Sequence, residues 1–160
     1  MSIWDDLETP LDEAPLFLVE DWKTLADPRR DLGELERQSQ FVGFMKKACP
    51  HMMVAAIPNA AKRGFKAQRQ AKQEGMVAGA FDTLVTWDVR DAHPDCPATM
   101  AMIEWKGFSA GRAGALTRQQ IEFGNRLHKQ GHKVACFFSA RSAIEWLRQL
   151  GAPIKGKLSV

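Results

Sequence analysis

The sequence predicts an α/β domain in which a mixed β-sheet is flanked by helices. Helical segments rich in good helix formers alternate with short apolar runs of strand length. Two of those runs follow one another with only a polar loop between them, which is typical of a hairpin. The predicted order is helix, strand, basic helix, strand, strand, helix, strand, helix, and such alternation places helices on the faces of a sheet.

The first half of the domain contains two predicted helices and one strand. Residues 31–49 form a helix with acidic residues in its early turns and lysines in its last turn, as the helix dipole favours, and Pro50 stops it. The apolar run 51–57 predicts a buried strand that ends in a turn. A basic helix follows, and Gly75 closes it.

The second half supplies the hairpin and completes the sheet. Thr117 is of a residue type that caps the start of a helix. Gly131 is suited to end that helix. The predicted elements are strands over 81–87 and 100–106, a helix from Thr117 to about Lys129, a strand over 132–138 and a helix over 140–151.

Charge is distributed unevenly along the 160 residues. Residues 1–40 hold 11 of the 19 acidic and 4 of the 22 basic side chains, a net charge of −7, which leaves +10 for the remainder. We therefore expect an acidic N-terminal arm over 1–30 and a domain over 31–160 that meets a polyanion.

Cysteine usage and hydropathy indicate the compartment. Cys49, Cys96 and Cys136 are odd in number and far apart, so they suggest neither a disulfide framework nor a metal knuckle. The acidic start is unlike a signal peptide, and no apolar run approaches the length that spans a bilayer. We expect a cytoplasmic protein that does not enter a membrane.

The chemistry-bearing residues lie on the predicted hairpin. The two-residue period of a strand puts Glu104 and Lys106 on one face, and Asp82 opens the neighbouring strand 22 positions earlier. A Glu-x-Lys triplet alone would indicate a salt bridge at a sheet edge. With Asp82 beside it, the set offers two carboxylates for a hard cation such as Mg²⁺ and an ammonium for an attacking water or a phosphate, which is chemistry suited to phosphodiester hydrolysis.

These residues resemble the core motif of the PD-(D/E)xK nucleases, with Phe81 where the family name has proline. More specifically, residues 34–150 resemble the VRR-NUC branch of that superfamily. The matching pieces are Ile57-Pro58-Asn59, Gly79-Ala80-Phe81-Asp82, Ile103-Glu104-Trp105-Lys106, Leu116-Thr117-Arg118-Gln119-Gln120 and Gly131-His132-Lys133-Val134. The resemblance implies a restriction-endonuclease-like fold and divalent-metal-dependent cleavage of DNA.

The resemblance also implies roles for particular residues. Asp82, Glu104 and the main-chain carbonyl of Trp105 would bind Mg²⁺, for which Mn²⁺ would substitute, and Lys106 would lie beside the attacking water. A glutamate on the first helix would be an auxiliary ligand; we take Glu36, with Glu34 as the alternative. A glutamine at the start of the helix after the catalytic strand would complete the site; we take Gln120 in preference to Gln119.

DNA binding and assembly follow from charge and from the same resemblance. Clustered basic residues neutralise phosphates without reading sequence. The candidates are Asn59, Lys62, Arg63, Lys66, Arg69 and Lys72, with Arg112 and Arg118 in a second tier.

The small standalone members of the family that this chain resembles look like homodimers that act on four-way junctions. We therefore expect a homodimer that acts on branched DNA. We also expect a bacterial, phage or mobile-element setting. The alternatives are a non-catalytic nucleic-acid-binding module and a nuclease that acts on RNA or on single strands.

Overall fold

A computed structural model describes residues 13–25, 32–58 and 64–158 of the chain. These residues form helices and strands in an α/β arrangement, which confirms the predicted fold class. The strands are β1 (Leu18–Val19), β2 (Met53–Ala56), β3 (Thr83–Thr86), β4 (Met100–Trp105), β5 (Phe108–Ser109), β6 (Arg112–Ala113) and β7 (Lys133–Phe137). The α-helices are α1 (Glu34–Ala48), α2 (Phe65–Gln73), α3 (Arg118–Lys129) and α4 (Ala140–Gln149).

Five of the strands form one mixed sheet, in the spatial order β1-β7-β4-β3-β2. Strands β2, β3 and β4 pair antiparallel, whereas β7 runs parallel to both β4 and β1. The predicted hairpin is therefore present, and its register places Thr83 opposite Ile103. This register decides which side chains meet where β3 begins and β4 ends.

The two faces of the sheet bury separate apolar clusters. Ala101, Ile103 and Trp105 alternate along β4 into the larger cluster, which also contains residues of α1 and α4. Met102 packs with the smaller cluster on the opposite side, which includes Val134 of β7. The two-residue period expected for this strand is thus confirmed. Because both faces of the strand are apolar, helices cover both faces of the sheet.

Residues 13–25 differ from the arm expected there. They contribute β1 to the sheet, and Phe17 is buried in the smaller apolar cluster. The Asn125 side chain fixes the segment, because its amide nitrogen donates to Ala14 O and its oxygen accepts from Leu16 N. The apolar run is too short to indicate a strand from sequence. It becomes a strand because β7 supplies its hydrogen-bond partners. Residues 1–12 and 26–30 of the expected arm lie outside the described part.

A second addition is the small hairpin of β5 and β6, which makes the element order longer than the eight predicted elements. Its turn contains Ala110 and Gly111 with positive φ angles of 49° and 72°. Such a turn matches the right-handed twist of paired strands, so the glycine-rich stretch has a defined conformation.

The helix ends follow the predicted signals. Thr117 caps α3 through a capping box with Gln120, and Gly131 after that helix has a φ of 86°. Gly75 follows α2 with a φ of 89°. Among the described helices, none combines the length and apolar character needed to cross a bilayer.

Candidate active site at the end of strands β3 and β4

Two carboxylates meet where β3 begins and β4 ends. Asp82 immediately precedes β3, and extending the register of that pair by one residue places Asp82 opposite Glu104. The Asp82 Oδ2 atom accepts a hydrogen bond of 3.1 Å from the main-chain nitrogen of Trp105. The side chain thus takes the place of a main-chain acceptor at the end of the ladder, which fixes the carboxylate beside β4.

Glu104 is the more enclosed partner of the Glu104–Lys106 ion pair, with 1% of its surface exposed. Its Oε1 atom accepts a hydrogen bond from the Gln120 amide nitrogen and lies 3.2 Å from Lys106 Nζ. Its Oε2 atom is buried and receives no hydrogen bond from any residue that the structure describes. A buried oxygen without a donor is costly, so this atom is suited to a ligand.

Lys106 connects β4 to the first helix. Its ammonium lies between the Glu104 carboxylate and Glu34 Oε1, which is 3.4 Å away. The lysine side chain is 6% exposed, whereas that of Glu34 is 43% exposed. The contact therefore runs from the interior of the site to its rim.

Burial and charge shift the protonation of this cluster. Burial, and then repulsion from the Asp82 carboxylate, raise the pKa of Glu104 to about 8 against the opposing effect of Lys106. Burial also raises the pKa of Asp82. Burial alone would lower the pKa of Lys106, but the Glu104 and Glu34 carboxylates raise it. At neutral pH and without a metal, the site therefore holds a charged ammonium beside a Glu104 side chain that keeps its proton, because a second negative charge next to Asp82 is unfavourable.

The first helix presents Glu34 to the site in place of Glu36, the preferred candidate. Glu36 is exposed, and its Oε2 lies over Gly33. The reason is the phase of α1: Gln38 donates to Thr83 Oγ1, and the Phe41 ring contacts the Trp105 ring at 5.1 Å. Positions four and seven residues after Glu34 thus face the sheet, while Glu36 points elsewhere.

Close backbone contacts hold the helix ends at the site. A Cβ atom on Gly107 would lie 2.4 Å from the Gly33 carbonyl carbon and 2.6 Å from Glu34 N. A Cβ atom on Gly79, whose φ is 79°, would lie 2.3 Å from the Gln119 carbonyl carbon. The two glycines therefore allow α1 and α3 to approach closely enough to deliver Glu34 and Gln120.

The start of α3 presents Gln120, as the sequence indicated. Its amide oxygen accepts a 2.9 Å hydrogen bond from Thr117 N, while its amide nitrogen donates to Glu104. Gln120 is buried, whereas Gln119 is exposed. Gln120 is therefore the glutamine that contacts the carboxylate.

Thr83 is a supporting residue that sequence reasoning missed. Its hydroxyl oxygen accepts from Trp105 Nε1 at 3.0 Å and from the Gln38 amide at 3.3 Å. Thr83 thus links β3, β4 and α1 directly behind the cluster. A lone threonine in a strand carries no sequence signal for such a role.

The oxygen atoms at this point fit a hard divalent cation. Asp82 and Glu104 supply carboxylates, and the latter has a buried oxygen that receives no hydrogen bond from a described residue. Trp105 directs its N–H toward Asp82, and in an extended strand the C=O of a residue points to the same side as its N–H.

Carboxylate and carbonyl oxygens are the ligands that Mg²⁺ prefers, with water completing its shell. In the part of the chain that the structure describes, no three His, Cys, Asp or Glu side chains cluster as a metal site. Asp82, Glu104 and the main-chain oxygen of Trp105 are the groups that would hold such a cation.

Two openings lead to the cluster. Asp82 borders a groove of about 600 Å³ between α1 and the end of β2. Lys106 borders a separate cleft of about 490 Å³ beside β1 and the base of the β5–β6 hairpin. The carboxylate and the ammonium can thus be reached from different sides.

The predicted DNA-binding residues have varied placements. Lys66, Arg69 and Lys72 are exposed on α2, and Arg112 is exposed on β6. Arg118 is partly occupied by a 2.8 Å ion pair with Glu122. Asn59, Lys62 and Arg63 lie outside the described residues.

The fold and this cluster define an α/β protein with a buried carboxylate and lysine centre at one end of a mixed sheet. No family model matches the chain, and comparison with curated proteins and with solved structures finds no significant similarity.

Proposed function

We propose that the protein is a divalent-metal-dependent nuclease that hydrolyses phosphodiester bonds in DNA. The observation that carries the proposal is the convergence of Asp82, Glu104 and Lys106 at one point, with the Glu104 carboxylate 3.2 Å from the ammonium. Burying two carboxylates side by side destabilises a protein, and the raised pKa of Glu104 indicates that Lys106 offsets their repulsion only in part. The arrangement is therefore explained better by a function than by stability.

The side chains support a defined division of roles. Mg²⁺ held by Asp82, Glu104 and the Trp105 carbonyl would activate a water and stabilise the charge that develops on the phosphate. The raised pKa of Lys106 keeps its ammonium protonated at neutral pH. Lys106 therefore orients the attacking water or donates to a phosphate oxygen.

Gln120 acts as a positioning residue in this scheme. Both ends of its amide are engaged, one by Glu104 and the other by the main chain of Thr117. A ligand carboxylate that is held by a neighbour keeps its orientation when the metal binds. Glu34 positions Lys106 in the same way from the opposite side of the cluster.

Branched DNA is the substrate that we propose. The exposed basic residues of α2 can neutralise phosphates, and the region after residue 40 carries a net charge of +10. Such contacts bind the backbone without reading bases, so the shape of the DNA would determine where cleavage occurs. Two copies in a homodimer would present two such sites to a four-way junction.

A cleavage panel tests the proposal. Purified protein is incubated with a four-way junction, a flap, duplex DNA, single-stranded DNA and RNA in Mg²⁺, Mn²⁺ or EDTA. We expect branched DNA to be cut in either metal and to remain intact in EDTA. Asp82→Asn and Lys106→Met should abolish cleavage, whereas Asp88→Asn should not, because that exposed carboxylate pairs with Arg90 beyond the other end of β3.

Other outcomes decide between the alternatives. Cleavage that persists in EDTA or in both site variants would contradict the proposed site. Binding without cleavage in every metal would favour a non-catalytic nucleic-acid-binding module. Preferential cleavage of RNA or of single strands would keep the site and change the substrate class.

A further inference from the structure

The cleft beside Lys106 adjoins the carboxylate cluster and has no role in the scheme above. It lies between the segment that carries β1 and the residues that follow the β5–β6 hairpin, and its volume is about 490 Å³. This is within the size range of pockets that bind small ligands or single nucleotides. Its lining includes Pro15, Trp22, Lys106, Leu116, Ile121 and Phe138.

An aromatic ring is presented on one wall. Trp22 is partly exposed, and the Phe108 ring packs edge-on against it with centroids 5.7 Å apart. The Lys23 ammonium lies 5.8 Å from the centroid of the Trp22 ring. Phe108 and the Lys23 ammonium, which lies over the ring, thus hold the indole at the wall of the cleft, and its partly exposed ring offers a surface on which a flat nucleobase can stack.

Both acidic residues at the cleft have structural tasks. Asp21 Oδ1 accepts a 3.0 Å hydrogen bond from Lys23 N. Glu20 Oε2 accepts a 2.7 Å hydrogen bond from Phe138 N, and Glu20 N donates to Cys136 O at 2.9 Å. The carboxylate therefore fastens the segment to the end of β7. Lys106 and Lys23 supply the two ammonium groups at the cleft, and these are the groups that can contact the phosphate of a bound nucleotide.

We propose that this cleft binds an unpaired nucleobase of the nucleic acid whose phosphate lies at Lys106, with Trp22 as the stacking surface; the inference rests on the proposed nuclease function. A base and its own phosphate are covalently linked, and Lys106 belongs both to the cleft and to the cluster. One nucleotide can therefore occupy both. A base within continuous duplex must first leave its stack, so the cleft favours branch points and single strands.

Fluorescence of 2-aminopurine tests the inference without any cleavage. The wild-type chain is titrated in EDTA with oligonucleotides that carry 2-aminopurine unpaired at a branch point or within fully paired duplex. We expect strong quenching of the unpaired probe alone. Trp22→Ala should remove the quenching and weaken binding about 5- to 100-fold, and Trp22→Phe should retain part of both.

Two further variants guard against effects on folding. Ala115 is exposed at the rim of the cleft, so Ala115→Trp should block it without removing Trp22. Leu18→Ala changes an exposed residue of the same segment that does not line the cleft, and it should bind like wild type. Thermal denaturation establishes that each variant is folded.

The outcomes separate this inference from the proposed function. Quenching and affinity that are unchanged in both Trp22→Ala and Ala115→Trp overturn the base-binding cleft, even if branched DNA is cut in Mg²⁺. Equal binding of fully paired duplex also overturns it. Quenching that depends on Trp22, in a protein that cuts nothing in any metal, supports the cleft and contradicts the nuclease.

Discussion

Gln120 binds Glu104 with its amide nitrogen and accepts the Thr117 main-chain N–H with its amide oxygen at 2.9 Å. The same side chain thus completes the capping box of α3 and holds the buried carboxylate of β4. A capping glutamine normally serves the helix alone. Here the start of α3 and the candidate active site share one residue, which ties the position of the helix to the orientation of Glu104.

Substitution at Gln120 separates these two tasks. Glutamate also suits a capping box, so Gln120→Glu should retain α3, although the buried carboxylate that it places against Glu104 should lower the melting temperature. It replaces the donor to Glu104 with a second carboxylate, and we expect cleavage to fall about 10- to 100-fold, the usual cost of losing a partner of a metal ligand. Gln120→Ala should lower both activity and stability. Full activity in Gln120→Glu would contradict the positioning role.

Glu34 and Glu36 give a direct comparison on one helix turn. Glu34→Ala removes one of the two carboxylates that contact Lys106, so the pKa of the lysine should fall and cleavage should weaken. Glu36→Ala changes an exposed residue and should leave activity within about twofold of wild type. Initial cleavage rates over a range of pH measure the difference. Equal loss in the two variants would show that the site does not depend on the Glu34 contact.

The sequence was sufficient to predict that Asp82, Glu104 and Lys106 lie close together, and the physical reason is local. A hairpin fixes which residues of its two strands are opposite, so spacing and period two identify the meeting point. Glu34 could not be assigned in the same way, because the phase of α1 depends on what it packs against. The burial of Phe41 and Met45 sets that phase, and their spacing is the signal that would have favoured Glu34.

The segment over residues 13–25 was predicted least well. A two-residue parallel strand has no period of its own, and β1 exists because β7 offers a free edge. The contacts of Asn125 with Ala14 and Leu16 join residues more than a hundred positions apart. Tertiary contacts of this kind leave no local pattern, so an acidic, proline-containing stretch resembled an arm.

Gly107 tests whether the close approach of α1 is required. Gly107→Ala would force its Cβ into the main chain of Gly33 and Glu34, with contacts of 2.4 and 2.6 Å, so α1 must shift. We expect a loss of about 1–3 kcal/mol in the free energy of unfolding and a weaker Glu34 contact with Lys106.

Gly43 is the matched control, since a Cβ there meets nothing within 4 Å and the residue is exposed inside α1. Gly43→Ala should stabilise the protein by about 0.5–1 kcal/mol. Urea denaturation measures both variants, and a Gly107→Ala protein as stable as wild type would contradict the steric argument.

The basic residues of α2 should control salt dependence more than cleavage chemistry. Replacing Lys66, Arg69 and Lys72 with alanine removes three exposed charges. Each phosphate contact contributes about 0.9 to the slope of log affinity against log salt concentration, so the slope should decrease by about 2 to 3. Lys133→Ala is the control, because Lys133 begins β7 at the end of the sheet opposite Trp105. An unchanged slope in the triple variant would show that α2 does not contact DNA.

Glu104 should make stability depend on pH when no metal is present. Its pKa is about 8 in the folded protein against an ordinary value of 4.5, so the folded state retains a proton that the unfolded state has lost between these values. The contribution of the Glu104 proton to the free energy of unfolding is fully present below about pH 4.5 and is lost as pH rises through 8. The free energy of unfolding should therefore fall by up to about 1.4 kcal/mol per pH unit within this window.

Glu104→Gln should flatten that dependence, because an amide does not titrate. Glu122→Gln should keep the wild-type slope, since Glu122 pairs with Arg118 on α3. Denaturation in EDTA from pH 5 to pH 9 measures all three proteins. Adding Mg²⁺ at pH 8 should raise the stability of wild type and of Glu122→Gln but not of Glu104→Gln, because a ligand stabilises only the state that binds it. A slope that persists in Glu104→Gln would assign the titration to another group.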